Sequence, residues 1–494
     1  MLSKEEIVKS VPQKGFIGHP KGLFTLFFTE FWERFSYYGM RAILIFYMYY
    51  QVKDGGLGLD RTQANIIMSL YGALIYMTGI IGGWLADRIF GTQKAVLYGG
   101  IMIMGGHIAL ALPGGVTSLY VSMVFIILGT GLLKPNVSSV VGDMYSANDP
   151  RRDSGFSIFY MGINMGAFIS PLLVGWTQEK YGFHFGFAIA AVGMFIGLVI
   201  FVLSKKSLGL AGVQPTNPLL PGEGKRTALI FSISTVVLVA LGLVAYSTGN
   251  LTIENFSLLI TTLGILIPTC FIAFMYRSPK TNEDEKSRLL AYIPLFICAV
   301  MFWAIADQSA TILATFVDTR TNLTLGGFDI PAAWFQSLNP LFIIACAPLF
   351  AIIWTKMADR GPSTPKKFAL SLFFSGASFL LMIAAIALTP AGSLVNPLWV
   401  VGSFFLVVLG ELLLSPVGLS ATTKLAPRAF AGQTMALWFL ASAAASAINA
   451  QLVRVYEVVS ETMYFGVLGG LSILLGVILL LISPIISRAM RGIK

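Results

Sequence analysis

The sequence predicts an all-α protein that crosses a lipid bilayer fourteen times, built as two six-helix bundles with an extra helix pair between them. Three observations predict it. Of 494 residues, 56% are hydrophobic and only 11% are charged, against about a quarter charged in an average soluble domain. Apolar runs of about 20 residues, the length that crosses the hydrocarbon core as a helix, can be counted fourteen times. Short motifs recur in the same order in both halves of the chain.

The first six runs begin near Leu23, Asn65, Ala95, Leu119, Gly155 and Phe185, giving a first bundle over residues 1–204. The Pro-, Gly- and Lys/Arg-rich stretch "KKSLGLAGVQPTNPLLPGEGKR" follows, then runs from Leu229 and Ile253 with almost no ionisable residues. Residues 205–280 therefore read as a linker plus two inserted spans, with Thr227 to Tyr276 outside any central pathway. Runs near Leu290, Ala333, Phe368, Leu398, Gln433 and Tyr464 form a second bundle over 281–494. Phe31 and Trp32 precede Ala86, Asp87 and Arg88 by 55 residues, and Phe302 and Trp303 precede Ala358, Asp359 and Arg360 by 56. "LGTGLLKP" (Leu128 to Pro135) aligns with "LGELLLSP" (Leu409 to Pro416). A same-sense repeat of this kind relates the bundles by an axis along the membrane normal and places a site between them near the midplane.

An even number of spans puts both termini on one side. About 25 of the 33 Lys and Arg residues fall in the loops of that side, so both termini are expected in the cytoplasm of a cell whose plasma membrane holds the chain. No charged segment with a short apolar core and small-residue cleavage site opens the sequence, so no removable leader is expected. The net charge of +10 follows this topology and does not indicate nucleic acid. Cys270, Cys298 and Cys346 lie inside apolar runs without metal-ligand spacing, which argues against a metal or redox centre.

The first span carries Glu30, Glu33, Arg34, Tyr37, Tyr38 and Arg41 at offsets 0, 3, 4, 7, 8 and 11, all on one helical face. A charge at the bilayer centre costs about 2.5–3.5 kcal/mol on insertion scales, so the row needs partners, water or a ligand. A structural ion cluster is the plainer alternative, and Arg41, nearer the span's end, has snorkelling as another. Lys134 precedes Pro135, whose missing N–H bends the fourth span and frees a carbonyl. Asp307 and Glu411 are the ionisable residues inside the second bundle's spans. A cavity basic on one wall and acidic on the other suits a zwitterion. Tyr76, Asn164, Asn339, Trp303, Trp438 and Ser442 add polar or aromatic groups at depth, ordinary packing being the simpler role of each aromatic alone. Asp87 and Arg88, at a helix end before Gly91, are expected to brace the gate on the terminal side by ion pairing. His19, His107 and His184 have no partners at useful spacing and receive no role.

Together "ExxERFSYYG" (Glu30 to Gly39), "GGWLADRIFG", "FYMGINMGAF" (Phe159 to Phe168) and "GELLLSPVGLS" (Gly410 to Ser420) resemble the proton-dependent oligopeptide transporters of the major facilitator superfamily, in their fourteen-span bacterial form. The resemblance runs nearly end to end. It implies a monomeric importer of di- and tripeptides, and of peptide-like drugs, driven by protons, with no cofactor besides the co-transported proton. It implies that Arg34 and Lys134 contact the peptide carboxyl end, that Tyr37, Tyr38 and Tyr76 line the pocket, and that Asn164, Asn339, Glu411 and Ser442 engage the amino end and backbone. Trp303 and Trp438 would shape side-chain pockets, Glu30, Glu33 and Asp307 would couple protons, and Arg41 with Asp307 would form an outer gate pair. Many bacterial relatives have Glu where this chain has Asp307, one methylene shorter. Free amino acids, with their charges too close together to reach both Lys134 and Glu411, are expected to compete poorly.

Two rival readings exist. A proton-coupled drug exporter shares the fold but does not need the charged row opposite Glu411. A receptor or intramembrane enzyme would need a sensing domain, or a nucleophile with a general base, and the short loops and three His supply neither.

Overall fold

The computed structural model describes residues 4–146, 149–357 and 361–492. A short helix α1 (Lys4–Ser10) precedes the spans α2 (Lys21–Tyr49), α3 (Arg61–Leu85), α4 (Thr92–Ala111), α5 (Gly115–Asp143), α6 (Arg152–Tyr181) and α7 (Phe183–Ser204). The inserted pair is α8 (Glu223–Ser247) and α9 (Ile253–Arg277). In the second half, α10 (Glu283–Ala306) runs through a 3-10 turn at Asp307–Ala310 into α11 (Ile312–Arg320), and together they form one span. Then follow α12 (Leu338–Met357), α13 (Thr364–Ala387), α14 (Pro397–Leu425), α15 (Ala431–Val458) and α16 (Glu461–Ala489). Thirteen of these helices or helix runs are apolar and long enough to cross a membrane by length and composition among the described residues. The 29-residue α2 falls outside that set only because it carries the four ionisable residues of the charged row, and with it the spans number fourteen.

Each helix end is set locally. Asp60 caps α3 by accepting from the Thr62 and Gln63 amides at 2.9 and 3.4 Å, and Asn282 with Glu285 forms a capping box at the start of α10. With no hydrophobic force between helices in lipid, the spans associate through small residues that let backbones touch. A Cβ on Gly82 of α3 would stand 1.9 Å from the Gly131 carbonyl oxygen of α5. In the second half, Gly376 of α13 and Gly469 of α16 approach each other's carbonyls in the same way, at 2.7 and 2.9 Å from the added carbon.

The two halves meet on the face opposite the termini. There Tyr49, the last residue of α2, and Tyr50 just beyond it donate to Asp318 of α11 at 2.5 and 2.7 Å. Trp334 Nε1 donates to the Leu172 carbonyl at 3.0 Å, and Ser337 Oγ to the Phe168 carbonyl at 2.7 Å. Nearer the termini, the pairs Lys4–Asp143 and Ser287–Ala489 each stay within one half. The structure is thus sealed on the far face.

The inserted helices touch both halves unequally. α8 has no buried residue. α9 is fastened to α15: Thr261 donates to the Ala447 carbonyl at 2.8 Å, and Gln451 and Arg454 donate to Ser257 at 3.2 and 2.7 Å. The linker before α8 lies on the first half, where Gln93 donates to the Ala211 carbonyl at 2.7 Å and the Gln93 amide to the Gly212 carbonyl at 2.9 Å.

Replacing Gly82 by Ala should destabilise the protein by about 1–3 kcal/mol, the cost of overpacking a tight contact. The thermal unfolding midpoint in detergent checks this. Gly83→Ala, where nothing lies within 4 Å of the added carbon, should leave the midpoint unchanged.

Candidate functional site

The charged row of α2 folds onto itself. Arg34 Nε is shared between Glu30 Oε1, at 3.1 Å and one turn back, and the adjacent Glu33 Oε2. Glu30, Glu33 and Arg34 are 3%, 0% and 2% exposed, so this triad is more deeply enclosed than a row facing open water. The reason is local: at i, i+4 and at the neighbouring position both carboxylates reach one guanidinium without leaving the helix. Glu30 Oε2, Glu33 Oε1 and Arg34 Nη2 remain buried with no hydrogen-bond partner among the described residues. The Arg34 guanidinium stands 5.3 Å from the Tyr37 ring centroid, and Tyr37 stacks on Tyr71 of α3 at 6.4 Å. Tyr38 and Arg41 continue the row and are half-buried.

Lys134 completes this wall from α5. Its ammonium sits 4.3 Å above the Tyr76 ring, a cation–π contact that leaves its N–H donors uncommitted, and Glu30, Glu33 and Arg34 lie within its electrostatic range. It is not fixed in an ion pair among the described residues. Beside it, where Pro135 breaks the helical ladder, Asn136 Nδ2 donates to the Leu132 and Gly82 carbonyls at 2.6 and 3.3 Å. The bond to Gly82 fastens α5 to α3.

On the second half, Glu411 of α14 accepts from Asn339 Nδ2 of α12 at 3.0 Å, so these two predicted residues form one unit. Asp307, at the 3-10 turn, accepts from Ser446 Oγ of α15 at 2.7 Å. Sequence reading pairs Asp307 with Arg41. The structure gives its hydrogen bond to Ser446 and holds Arg41 at longer electrostatic range, because the turn swings the short Asp side chain toward α15. Gly72 lets Ser446 close on α3, an added Cβ standing 3.2 Å from its Oγ.

The remaining predicted residues divide by role. Trp438 is 5% exposed, lies on Gly418 and meets Phe368 edge-on at 6.3 Å, so it is a wall held by packing. Trp303 is half-buried against Phe302. Asn164 spends its amide N–H on the Tyr160 carbonyl of its own helix at 3.0 Å. Ser442 is buried on α15, one turn before Ser446. Sequence reading passed over Ser446, Asp318, Tyr49 and Tyr50. The Tyr pair, a second "YY" at the other end of α2, was the one available signal.

Asp87 and Arg88 need correcting. They lie in a widened π turn, Ala86–Phe90, and their partners are in the linker and at the start of α8, not across the seam between halves. Arg88 Nη2 pairs with Glu223 at 2.7 Å, and Asp87 Oδ1 accepts from Thr216 Oγ1 at 2.9 Å. The Asn217 and Leu219 amides donate to their backbone carbonyls at 3.0 and 3.3 Å. The repeated motif at Ala358, Asp359 and Arg360 lies outside the described residues.

The site therefore presents three cations from the first half, Arg34, Arg41 and Lys134, and two carboxylates from the second, Asp307 and Glu411. It can orient a dipolar solute and hold protons on carboxylates; nothing in it resembles a nucleophile with its base.

Comparison with known proteins gives the chain's relatives. The profile of the POT family matches residues 93–470. The chain is 59% identical to an uncharacterised transporter, YclF, of Bacillus subtilis (strain 168), over 100% of this chain and 99% of that one. It is 45% identical to a di-/tripeptide transporter of Lactococcus lactis subsp. cremoris, over 98% and 99%. A solved structure of a peptide transporter POT in complex with sulfate superposes with a TM-score of 0.97 at 61% identity, each chain covered completely.

Cutting the Arg88–Glu223 tie should loosen the linker. A half-exposed pair is worth up to about 1 kcal/mol, so Arg88→Ala should speed proteolytic nicking within residues 205–222 about fivefold. Arg277→Ala at the end of α9 should leave that rate unchanged.

Proposed function

We propose that this chain, which belongs to the POT family, imports di- and tripeptides with protons across the plasma membrane by alternating access. Both termini lie in the cytoplasm, and one chain suffices, since both walls of the site come from the same polypeptide. One observation carries the reading. Lys134, with uncommitted donors, sits on the Tyr76 ring of the first half, and Glu411 of the second half, held by Asn339, lies within electrostatic range of that same tyrosine. These groups would take the carboxylate and ammonium ends of a zwitterion longer than a single amino acid. Main-chain and terminal groups are shared by all short peptides, so selectivity among side chains is broad and admits peptide-like drugs. Arg34 assists at the carboxyl end, Tyr37, Tyr38 and Tyr76 line the pocket, and Asn164 and Ser442 face the amino half. Trp303 and Trp438 border the side chains.

Glu30, Glu33 and Asp307 hold the coupled protons. Protonating Glu33 weakens its grip on Arg34, and protonating Asp307 weakens its attraction to Arg41 across the seam, so proton and peptide together bias which face is sealed. Each inward proton releases about 2.3 kcal/mol per 100 mV, enough to concentrate a solute tens-fold. The seal on the far face supports an arrangement in which the load leaves toward the cytoplasm. The description of relatives as di-/tripeptide transporters supports peptides over an exported drug as cargo.

The test is uptake of labelled dialanine by purified protein in liposomes with an imposed inward proton gradient. Glu33→Gln and Lys134→Ala should each abolish concentrative uptake. Gradient-free exchange should persist in Glu33→Gln, because the Lys134 and Glu411 contacts remain. Full concentrative uptake by either variant contradicts the proposal.

A further inference from the structure

We infer that the seam on the far face holds a second binding site, a vestibule that takes the ammonium end of a short peptide before the halves part. The inference rests on the import reading above. A cavity of about 840 Å³ opens where the far ends of α2 and α3 meet α11 and the α15–α16 corner. Its size is that of a small-ligand pocket, and its position is on the path a solute entering from that face must take.

Asp318 lines the cavity, and its two oxygens accept from Tyr49 and Tyr50, the hydrogen bonds that join the halves. Among the lining residues carboxylates outnumber guanidiniums five to two. The guanidiniums are already placed. Arg320 pairs with Glu461 at 3.1 Å, and Arg61 lies over the Tyr49 ring at 5.5 Å. Glu457, on the rim, has no hydrogen bond or ion pair among those described, so the local field favours a cation.

An independent observation points to a ligand. Asn65 of α3 lines the cavity and is 4% exposed. Its Nδ2 donates to the Arg61 carbonyl at 3.0 Å, which fixes which end of the amide is oxygen. The Oδ1 has no donor among the described residues. A buried acceptor left without a donor is costly, and an ammonium supplies three N–H groups at once. Asn65 Oδ1 takes one of them, and the carboxylates of Asp318 and Glu457 on the same cavity wall are the acceptors for the others. An occupant there draws Asp318 away from Tyr49 and Tyr50, so occupancy favours the far-open arrangement over the sealed one.

Saturation-transfer NMR on the purified full-length protein tests this, with dialanine and N-acetyl-dialanine as probes and the central site disabled by Lys134→Ala with Glu411→Gln. The disabled protein should still give a dialanine signal. Acetylation, which removes the ammonium, should weaken that signal about tenfold, the loss of a charge-assisted hydrogen bond. Adding Asn65→Leu should do the same. Glu457→Gln, on the exposed rim and harmless to folding, should also lower it. No dialanine signal from the disabled protein overturns the proposal, as does a signal indifferent to acetylation or to both added substitutions. Liposome uptake by the unaltered chain separates the two readings. Uptake without a vestibular signal removes only this site, whereas absence of uptake removes the import reading and this site with it.

Discussion

The rest of the structure depends on the burial of Arg34 between two carboxylates of its own helix. Taking three ions out of water is expensive, and Coulomb attraction offsets the cost only when geometry and further hydrogen bonds are good. The triad alone carries one excess negative charge, and Lys134 from α5 stands within range to balance it. That demand explains why α5 must lie tightly on α3: the Gly82–Gly131 contact and the Asn136 bonds deliver the lysine to the right depth. Counting the central groups, Glu30, Glu33, Asp307 and Glu411 oppose Arg34, Arg41 and Lys134. Four carboxylates against three cations leave one negative charge, and a single proton makes the set neutral. A zwitterionic solute fits the neutral set better than the charged one, so its binding draws in that one proton.

The same constraint shapes how the halves can move. The acidic groups of the second half are held weakly, Asp307 by one serine and Glu411 by one asparagine, while Arg34 is locked into the first half by two carboxylates. The halves share only a few hydrogen bonds at the far face, led by the two phenols on Asp318. Few bonds at a seam make a closure that differential binding of a few kcal/mol can reverse. The inserted pair stands outside this exchange, yet it is not free of it. Its entry is fixed to the first half through Arg88 and Glu223, and α9 is fixed to α15 through Ser257 and Thr261.

Much of this was legible in the sequence. The spans followed from apolar run length, because a helix in lipid must be long, apolar and internally hydrogen-bonded. The ionisable residues of the site followed from the price of charge in a membrane: Glu30, Glu33, Arg34, Lys134, Asp307 and Glu411 stand out wherever the background is Leu and Ile. What periodicity could not supply was choice of partner. It put Glu33 on the same face as Arg34 but could not show the adjacent pair closing on itself and leaving water. Asp307 went to Ser446, a small hydroxyl among many. Arg88 found Glu223, 135 residues away, and no local pattern encodes such a distance. Asp318 gave no signal in the sequence, because its importance lies in two phenols brought to it only by the packing of the halves.

The central claim is that buried carboxylates and a bound peptide share one charge balance, and proton counting on peptide binding tests it most directly. Purified protein in weakly buffered detergent is mixed with dialanine at near-neutral pH while a glass electrode records the change. The account predicts uptake of about one proton per chain on binding, reduced in Glu33→Gln and in Asp307→Asn. Binding of undiminished affinity with no proton exchange, unaltered by either substitution, would contradict it.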